Sequence, residues 1–119
     1  MNKIKILIAD DSAFMRRVLK GILEKGGYTN TVEAENGRQA LEKFKAEKPD
    51  LILLDIVMPE VDGIEVLKKI GSKANIIVIS AVGQDVIMED AKKSGAKGYI
   101  VKPFDEKEVL EEVNKVAPR

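Results

Sequence analysis

Five side chains carry most of the chemistry that this sequence offers, and each stands where a short apolar run ends. Asp10-Asp11 follows the apolar block at residues 4–9, Asp55 follows Leu51–Leu54, Ser80 follows the block at 76–79, and Lys102 follows Tyr99-Ile100-Val101. Three carboxylates drawn into one small pocket repel one another unless a counter-charge is present. Lys102 supplies one. A hard divalent cation that prefers oxygen ligands supplies the other, with magnesium the best fit and manganese its substitute. Three carboxylates, one divalent cation and one ammonium sum to about zero. Such a site can accept a phosphoryl group on a carboxylate as an aspartyl phosphate, with the cation and the ammonium neutralising its oxygens.

Taken singly, each residue has a plainer explanation. Asp10, Asp11 or Ser12 could cap the helix that follows. Asp55 could be a turn carboxylate, Ser80 a strand-end hydroxyl with a local hydrogen bond, and Lys102 a solvated charge. These separate explanations do not anticipate that all five residues converge at the ends of four strands along one sheet edge.

The elements that would position them are legible as alternating patterns. The blocks at 4–9, 51–54 and 76–79 suit strands buried on both faces of a parallel sheet. Thr31-Val32-Glu33-Ala34-Glu35 alternates apolar with polar, as a half-exposed edge strand would, and Tyr99-Ile100-Val101 is a short fifth strand. Between them run helical stripes. One combines Phe14, Val18 and Ile22 with Met15, Leu19 and Leu23. Others are Ala40, Leu41 and Phe44; Ile64, Leu67 and Ile70; Val86, Ile87 and Ala91; and Val109, Leu110, Val113 and Val116. Asn36/Gln39, Asp62/Glu65 and Asp105/Glu108 have capping-box spacing, while Gly26-Gly27 and Gly95 sit where helices should stop. The expected fold is α/β, a (βα)5 three-layer sandwich of flavodoxin-like type. Its parallel five-stranded sheet would have order 2-1-3-4-5, an order taken from that known architecture. A ligand site then lies beyond the strand ends where the order reverses, between strands one and three.

Composition closes off several function classes. The chain has 119 residues, with Lys plus Arg 20 and Asp plus Glu 20, so the basic surplus that nucleic-acid binders use is absent. No Trp, three Phe and two Tyr leave little to stack on bases. With neither His nor Cys there is no imidazole base, Ser-His-Asp triad, thiolate metal site or disulfide. No apolar run approaches the ~18 residues of a membrane span, so a cytoplasmic location is expected, without membrane or nucleic-acid partners. The length suits one domain over residues 1–119, and no output domain is expected.

Ala9-Asp10-Asp11-Ser12, Leu54-Asp55-Ile56-Val57-Met58-Pro59, Asp62-Gly63, Ile79-Ser80-Ala81 and Val101-Lys102-Pro103-Phe104 together resemble a response-regulator receiver domain over essentially the whole chain. The likeness is strongest to the family's single-domain chemotaxis regulators. It runs through Phe14-Met15-Arg16-Arg17, Ser80-Ala81-Val82-Gly83-Gln84 and Gly95-Ala96-Lys97-Gly98-Tyr99.

The resemblance implies a phosphorylation-activated switch of two-component signalling, not an enzyme with an external substrate. Asp55 would accept the phosphoryl group from a histidine kinase, and the donor imidazole would come from that partner. Asp11 and Asp55 would bind Mg2+ directly with the backbone carbonyl of Val57, and Asp10 through water. The backbones of Ile56 and Ala81 would face the phosphoryl group. Lys102 would pair with the acyl phosphate, the Lys102-Pro103 bond would be cis, and Ser80 would hydrogen-bond a phosphoryl oxygen. Tyr99 would then turn inward, changing the surface of the fourth helix, fifth strand and fifth helix. The implied target is a flagellar motor switch protein. Val57 and Val82 stand where some relatives have polar residues that hold a water, so slow self-dephosphorylation and an auxiliary phosphatase are expected.

Three other readings have specific weaknesses. A magnesium-dependent phosphatase of the haloacid dehalogenase type also uses an aspartyl phosphate, but its Asp-x-Asp pattern is broken here by Val57. A flavodoxin-like cofactor carrier would need a glycine-rich phosphate loop, and none is found. A receiver belonging to a larger response regulator, or a stand-alone phosphorelay carrier, would share the same acidic site.

Overall fold

The computed structural model describes residues 2–58, 62–81 and 83–118. Pro59 and Val82, which figure in the motifs above, lie outside the described residues. Five strands alternate with five helices: β1 Asn2–Ala9, α1 Ala13–Lys25, β2 Tyr28–Ala34, α2 Gly37–Glu47, β3 Leu51–Leu54, α3 Gly63–Ile70, β4 Ile76–Ser80, α4 Asp85–Lys93, β5 Gly98–Val101 and α5 Glu106–Val116. All strand pairings are parallel, in the order β2-β1-β3-β4-β5.

The core forms two layers because successive strand residues face opposite ways. Leu7, Ala9, Ile52, Leu54, Ile76 and Val78 pack on one face with Ala40, Val66, Leu67 and Ala91 from α2, α3 and α4. Ile6, Ile8, Leu51, Leu53, Ile77 and Ile79 pack on the other, against Leu19 and Leu23 of α1 and Val109 and Val113 of α5. Each fully buried aliphatic chain contributes about 1.5–3 kcal/mol. The strands with continuous buried apolar runs, β1 from Ile6 to Ala9, β3 and β4, are therefore central, and the mixed strand β2 stands at an edge.

The helix starts follow the cap signals. Asn36, Asp62 and Asp105 each accept a hydrogen bond from the backbone N–H three residues on. At α2 the reciprocal bond is displaced by one residue, since Gln39 Oε1 accepts from the Glu35 N–H. Gly27 and Gly95 take φ of +90° and +114° just past α1 and α4.

Two stripe assignments need correction. Phe14 is 70% exposed and Val86 77% exposed. Each lies in the first turn of its helix next to a residue that does pack on the core, Met15 and Ile87, so it faces away from the sheet. The buried face of α1 is instead built on Leu19 and Leu23, with Met15 and Ile22 packed beside them.

Candidate functional site

Strand register brings the acidic residues together. Ala9 pairs with Leu54 across β1 and β3, so Asp10 and Asp55 leave the sheet side by side. Backbone bonds fix both residues: the Asp55 N–H donates to Ala9 O (2.9 Å) and the Asp10 N–H to Ala34 O (3.1 Å). One strand further on, the Lys102 N–H donates to Ser80 O at 2.8 Å, which sets Lys102 at the same edge. Oxygens of Asp10, Asp11 and Asp55 all lie within 4.8 Å of one another. Asp10 and Asp55 are buried, and Asp11 is exposed at the mouth.

Lys102 Nζ bridges the two buried carboxylates, 2.9 Å from Asp10 Oδ2 and 3.0 Å from Asp55 Oδ2. The remaining oxygens accept from backbone: Asp10 Oδ1 from Ser12 N–H (2.9 Å) and Asp55 Oδ1 from Val57 N–H (3.1 Å). Burial raises the Asp55 pKa above the ordinary carboxylate value. The Lys102 and Val57 hydrogen bonds and the Lys102 charge offset part of this rise, while the Asp10 charge adds to it. Burial pulls Lys102 down, but its bonds to Asp10 and Asp55 and their charges outweigh that, so its pKa is raised. Three carboxylates against one ammonium leave a local surplus of about two negative charges. An all-oxygen donor set with that surplus suits a hard divalent cation.

Other expected residues surround the cluster. Ser80 is fully buried at the end of β4 and shares a side-chain hydrogen bond with Tyr99. Tyr99 is half-buried against the core, and its pKa is raised by burial and by the Asp55 charge. Ile56 is buried and its carbonyl accepts from the Gly63 N–H at 2.8 Å, Val57 is 62% exposed, and Ala81 is exposed. The Lys102-Pro103 bond is cis. Ser12 caps α1, accepting from the Met15 N–H, so the capping reading of the acidic loop holds for that residue.

Two supports escaped the sequence reading. Arg16, one turn into α1, donates through a guanidinium NH to Asp10 O at 2.7 Å and from Nε to Glu33 Oε1 of β2 at 2.8 Å. It therefore clamps the backbone between two of the acidic residues. The sequence placed Arg16 four residues after a cap and within the Phe14-Met15-Arg16-Arg17 likeness, but its partner on β2 was not legible. Gly63 opens α3 against the acceptor segment, and a Cβ there would lie 2.4 Å from Asp55 O and 2.5 Å from Ile56 Cα. A glycine after a capping Asp does not announce that contact.

This arrangement can hold a divalent cation on oxygens, present Asp55 to an electrophile and neutralise added charge with Lys102. The family model "Response regulator receiver domain" matches residues 6–114. "Chemotaxis protein CheY" of Thermotoga maritima is 51% identical over 116 residues, covering 95% of this chain and 97% of the relative. "Chemotaxis protein CheY" of Bacillus subtilis is 53% identical over 114 residues, covering 93% and 95%. A chain of the crystal structure of the CheX–CheY–BeF3–Mg complex from Borrelia burgdorferi superposes with a TM-score of 0.90 at 38% identity, covering 95% of this chain and 88% of that one. The order of the sheet, the carboxylates and lysine at its strand ends and these likenesses agree: the chain belongs to the response-regulator receiver family, as a signalling domain closely similar to CheY.

Proposed function

We propose that this receiver is switched by phosphorylation of Asp55 and acts in chemotaxis, in the cytoplasm. The observation that carries the reading is the buried Asp55 carboxylate, bridged to Asp10 through Lys102 and flanked by Asp11. An Asp55 carboxylate oxygen attacks the phosphorus of a phosphohistidine on a partner kinase. The new O–P bond forms as the N–P bond breaks, and the imidazole nitrogen keeps the electron pair and takes up a proton. Asp11, Asp55 and the Val57 carbonyl would hold Mg2+, with Asp10 acting through water. Bound there, the cation supplies charge neutralisation for the phosphoryl oxygens. Lys102 then pairs with the acyl phosphate, and the backbones of Ile56 and Ala81 border it. Exposed Phe14, Val57 and Val86 lie at or beside this sheet edge and give a protein donor apolar surface to meet.

Output follows from Ser80. Its hydroxyl serves Tyr99 in this structure. A phosphoryl group adds about one negative charge and strong acceptors within reach, and it draws that hydroxyl away. Tyr99 loses its partner and resettles, and the α4, β5 and α5 surface changes with it. The Borrelia complex, which pairs CheY with CheX, supports a kinase-and-phosphatase setting, and the CheY relatives support a flagellar motor switch protein as target.

Val57 cannot hydrogen-bond an attacking water, so the aspartyl phosphate is expected to decay slowly and to need a phosphatase. Val57→Asn should shorten its lifetime, and a parent-like decay of radiolabel in that variant would oppose this part of the reading. The reading itself is tested by incubating the protein with acetyl phosphate and Mg2+ and measuring intact mass. A gain of one phosphoryl group that is absent in Asp55→Asn supports it, and no gain, or a gain that survives the substitution, overturns it.

A further inference from the structure

A second surface with its own chemistry lies at the opposite end of the sheet from the acidic site. Crossover helices of a parallel sheet run back against the strands, so the C-terminal ends of α2 and α3 lie beside the strand starts. Between them is a groove of about 320 Å³ lined by Leu41, Phe44 and Ile70, with Lys45, Lys69 and Lys73 at its rim. It continues past Lys48 into a shallower recess of about 360 Å³ that shares Phe44, Lys45 and Lys73. No carboxylate lines either space. The carboxylates at this end turn elsewhere: Glu47 pairs with Lys5 Nζ at 3.1 Å, and Asp50 accepts from the Lys5 N–H at 2.8 Å.

Lysines at helix C-termini ordinarily offset the helix dipole. Each terminus carries about half a negative charge, so two account for roughly one of the four lysines. A surplus of about three positive charges remains around an apolar floor, in a chain whose formal net charge is zero. None of the four lysines has a side-chain ion pair among the described residues.

We infer that this groove docks an acidic protein segment that carries one large apolar anchor between its carboxylates. The anchor fills the space over Phe44 and Ile70, and the carboxylates meet Lys45, Lys48, Lys69 and Lys73. A flat bilayer does not fit the shape, because the apolar surface is the floor of a concavity. Nucleic acid does not fit the lining, which offers no arginine and an apolar floor where phosphates would need donors. Docking here leaves the acidic site free, so affinity does not depend on whether Asp55 carries a phosphoryl group.

The test is titration with a fluorescein-labelled dodecapeptide of Glu and Asp around a single Phe, followed by anisotropy and by 15N amide shifts. Saturable binding is expected, with shifts at Phe44, Lys45, Lys69 and Ile70. Affinity should fall about tenfold in Lys45→Glu/Lys69→Glu and in the peptide with Ala for Phe, and stay unchanged in Asp55→Asn. These lysines are exposed, so the double variant should keep its fold and its labelling by acetyl phosphate. The inference is overturned by no saturation at millimolar peptide, or by shifts confined to the Tyr99 face. Tighter binding of phosphatidylglycerol vesicles or of a DNA oligomer at the same residues overturns it too. Failure of these results leaves phosphorylation of Asp55 unaffected, and failure of phosphorylation leaves the groove unaffected.

Discussion

Replacing Lys102 with Met removes the only ammonium that touches the buried carboxylates among the described residues, while nearly keeping its volume. Contacts of 2.9 and 3.0 Å are each worth roughly 5 kcal/mol gross at an effective dielectric of about 20. Desolvation cancels much of that while the cluster is intact, so the cost of the variant is that of two stranded charges. Breaking a buried pair in this way costs about 3–5 kcal/mol. Backbone donors from Ser12 and Val57 remain, and Asp55 can take up a proton, which lowers the expected loss to about 2–4 kcal/mol. For a chain of this size that is a fall in Tm of roughly 10 °C.

The assay is urea unfolding without divalent cations. A carboxyl whose folded pKa lies above its unfolded value costs stability above the folded pKa, and the cost fades as pH falls through that value. Asp55 already has a raised pKa, and losing Lys102 raises it further. The gap between parent and Lys102→Met should therefore narrow as pH falls from neutrality towards the ordinary carboxylate range. Mg2+ at about a hundred times its dissociation constant should restore about 2.7 kcal/mol to the variant. Adding Asp55→Asn to Lys102→Met should recover at least half the loss, because one stranded charge is gone. A loss below about 1 kcal/mol, or one indifferent to pH and Mg2+, would refute the counter-charge argument.

Three further outcomes follow from the supports of the site. Arg16→Ala frees the Asp10 carbonyl and should weaken Mg2+ binding about tenfold by calorimetry, with partial rescue in Arg16→Lys; an unchanged affinity removes Arg16 from the positioning of the acidic loop. Gly63→Ala forces a Cβ against Asp55 O and should cost about 1–3 kcal/mol in urea while also lowering Mg2+ affinity; a neutral variant means α3 can withdraw without disturbing Asp55. Tyr99→Trp should change its emission when Mg2+ and beryllofluoride are added together, and emission that ignores both contradicts the Ser80–Tyr99 coupling.

Much of the fold could be read from the chain because its local signals agreed. Apolar runs at residues 4–9, 51–54 and 76–79 can be satisfied only inside a covered sheet, and Asn36, Asp62 and Asp105 marked helix starts that the structure bears out. The convergence of Asp10, Asp55, Ser80 and Lys102 followed from strand order together with the strand ends. Periodicity misplaced Phe14 and Val86 because two apolar residues side by side in a first turn do not say which of them faces the sheet, and Met15 and Ile87 take the inner place. Arg16–Glu33 joins α1 to an edge strand, and Gly63 matters through a backbone contact with Ile56. Neither relation leaves a mark at a fixed sequence spacing. The Ser80–Tyr99 bond depends on the β4–β5 register, which pairs Ser80 with Val101 and Val78 with Tyr99.

The most direct test of the central claim is chemical trapping of the labelled residue. Protein treated with acetyl phosphate and Mg2+ is reduced with borohydride, which converts an aspartyl phosphate to homoserine, and its peptides are sequenced by mass. Homoserine at position 55 is the predicted result. Homoserine at position 10 or 11 with Asp55 intact, or phosphate held on a serine or threonine, would contradict the account.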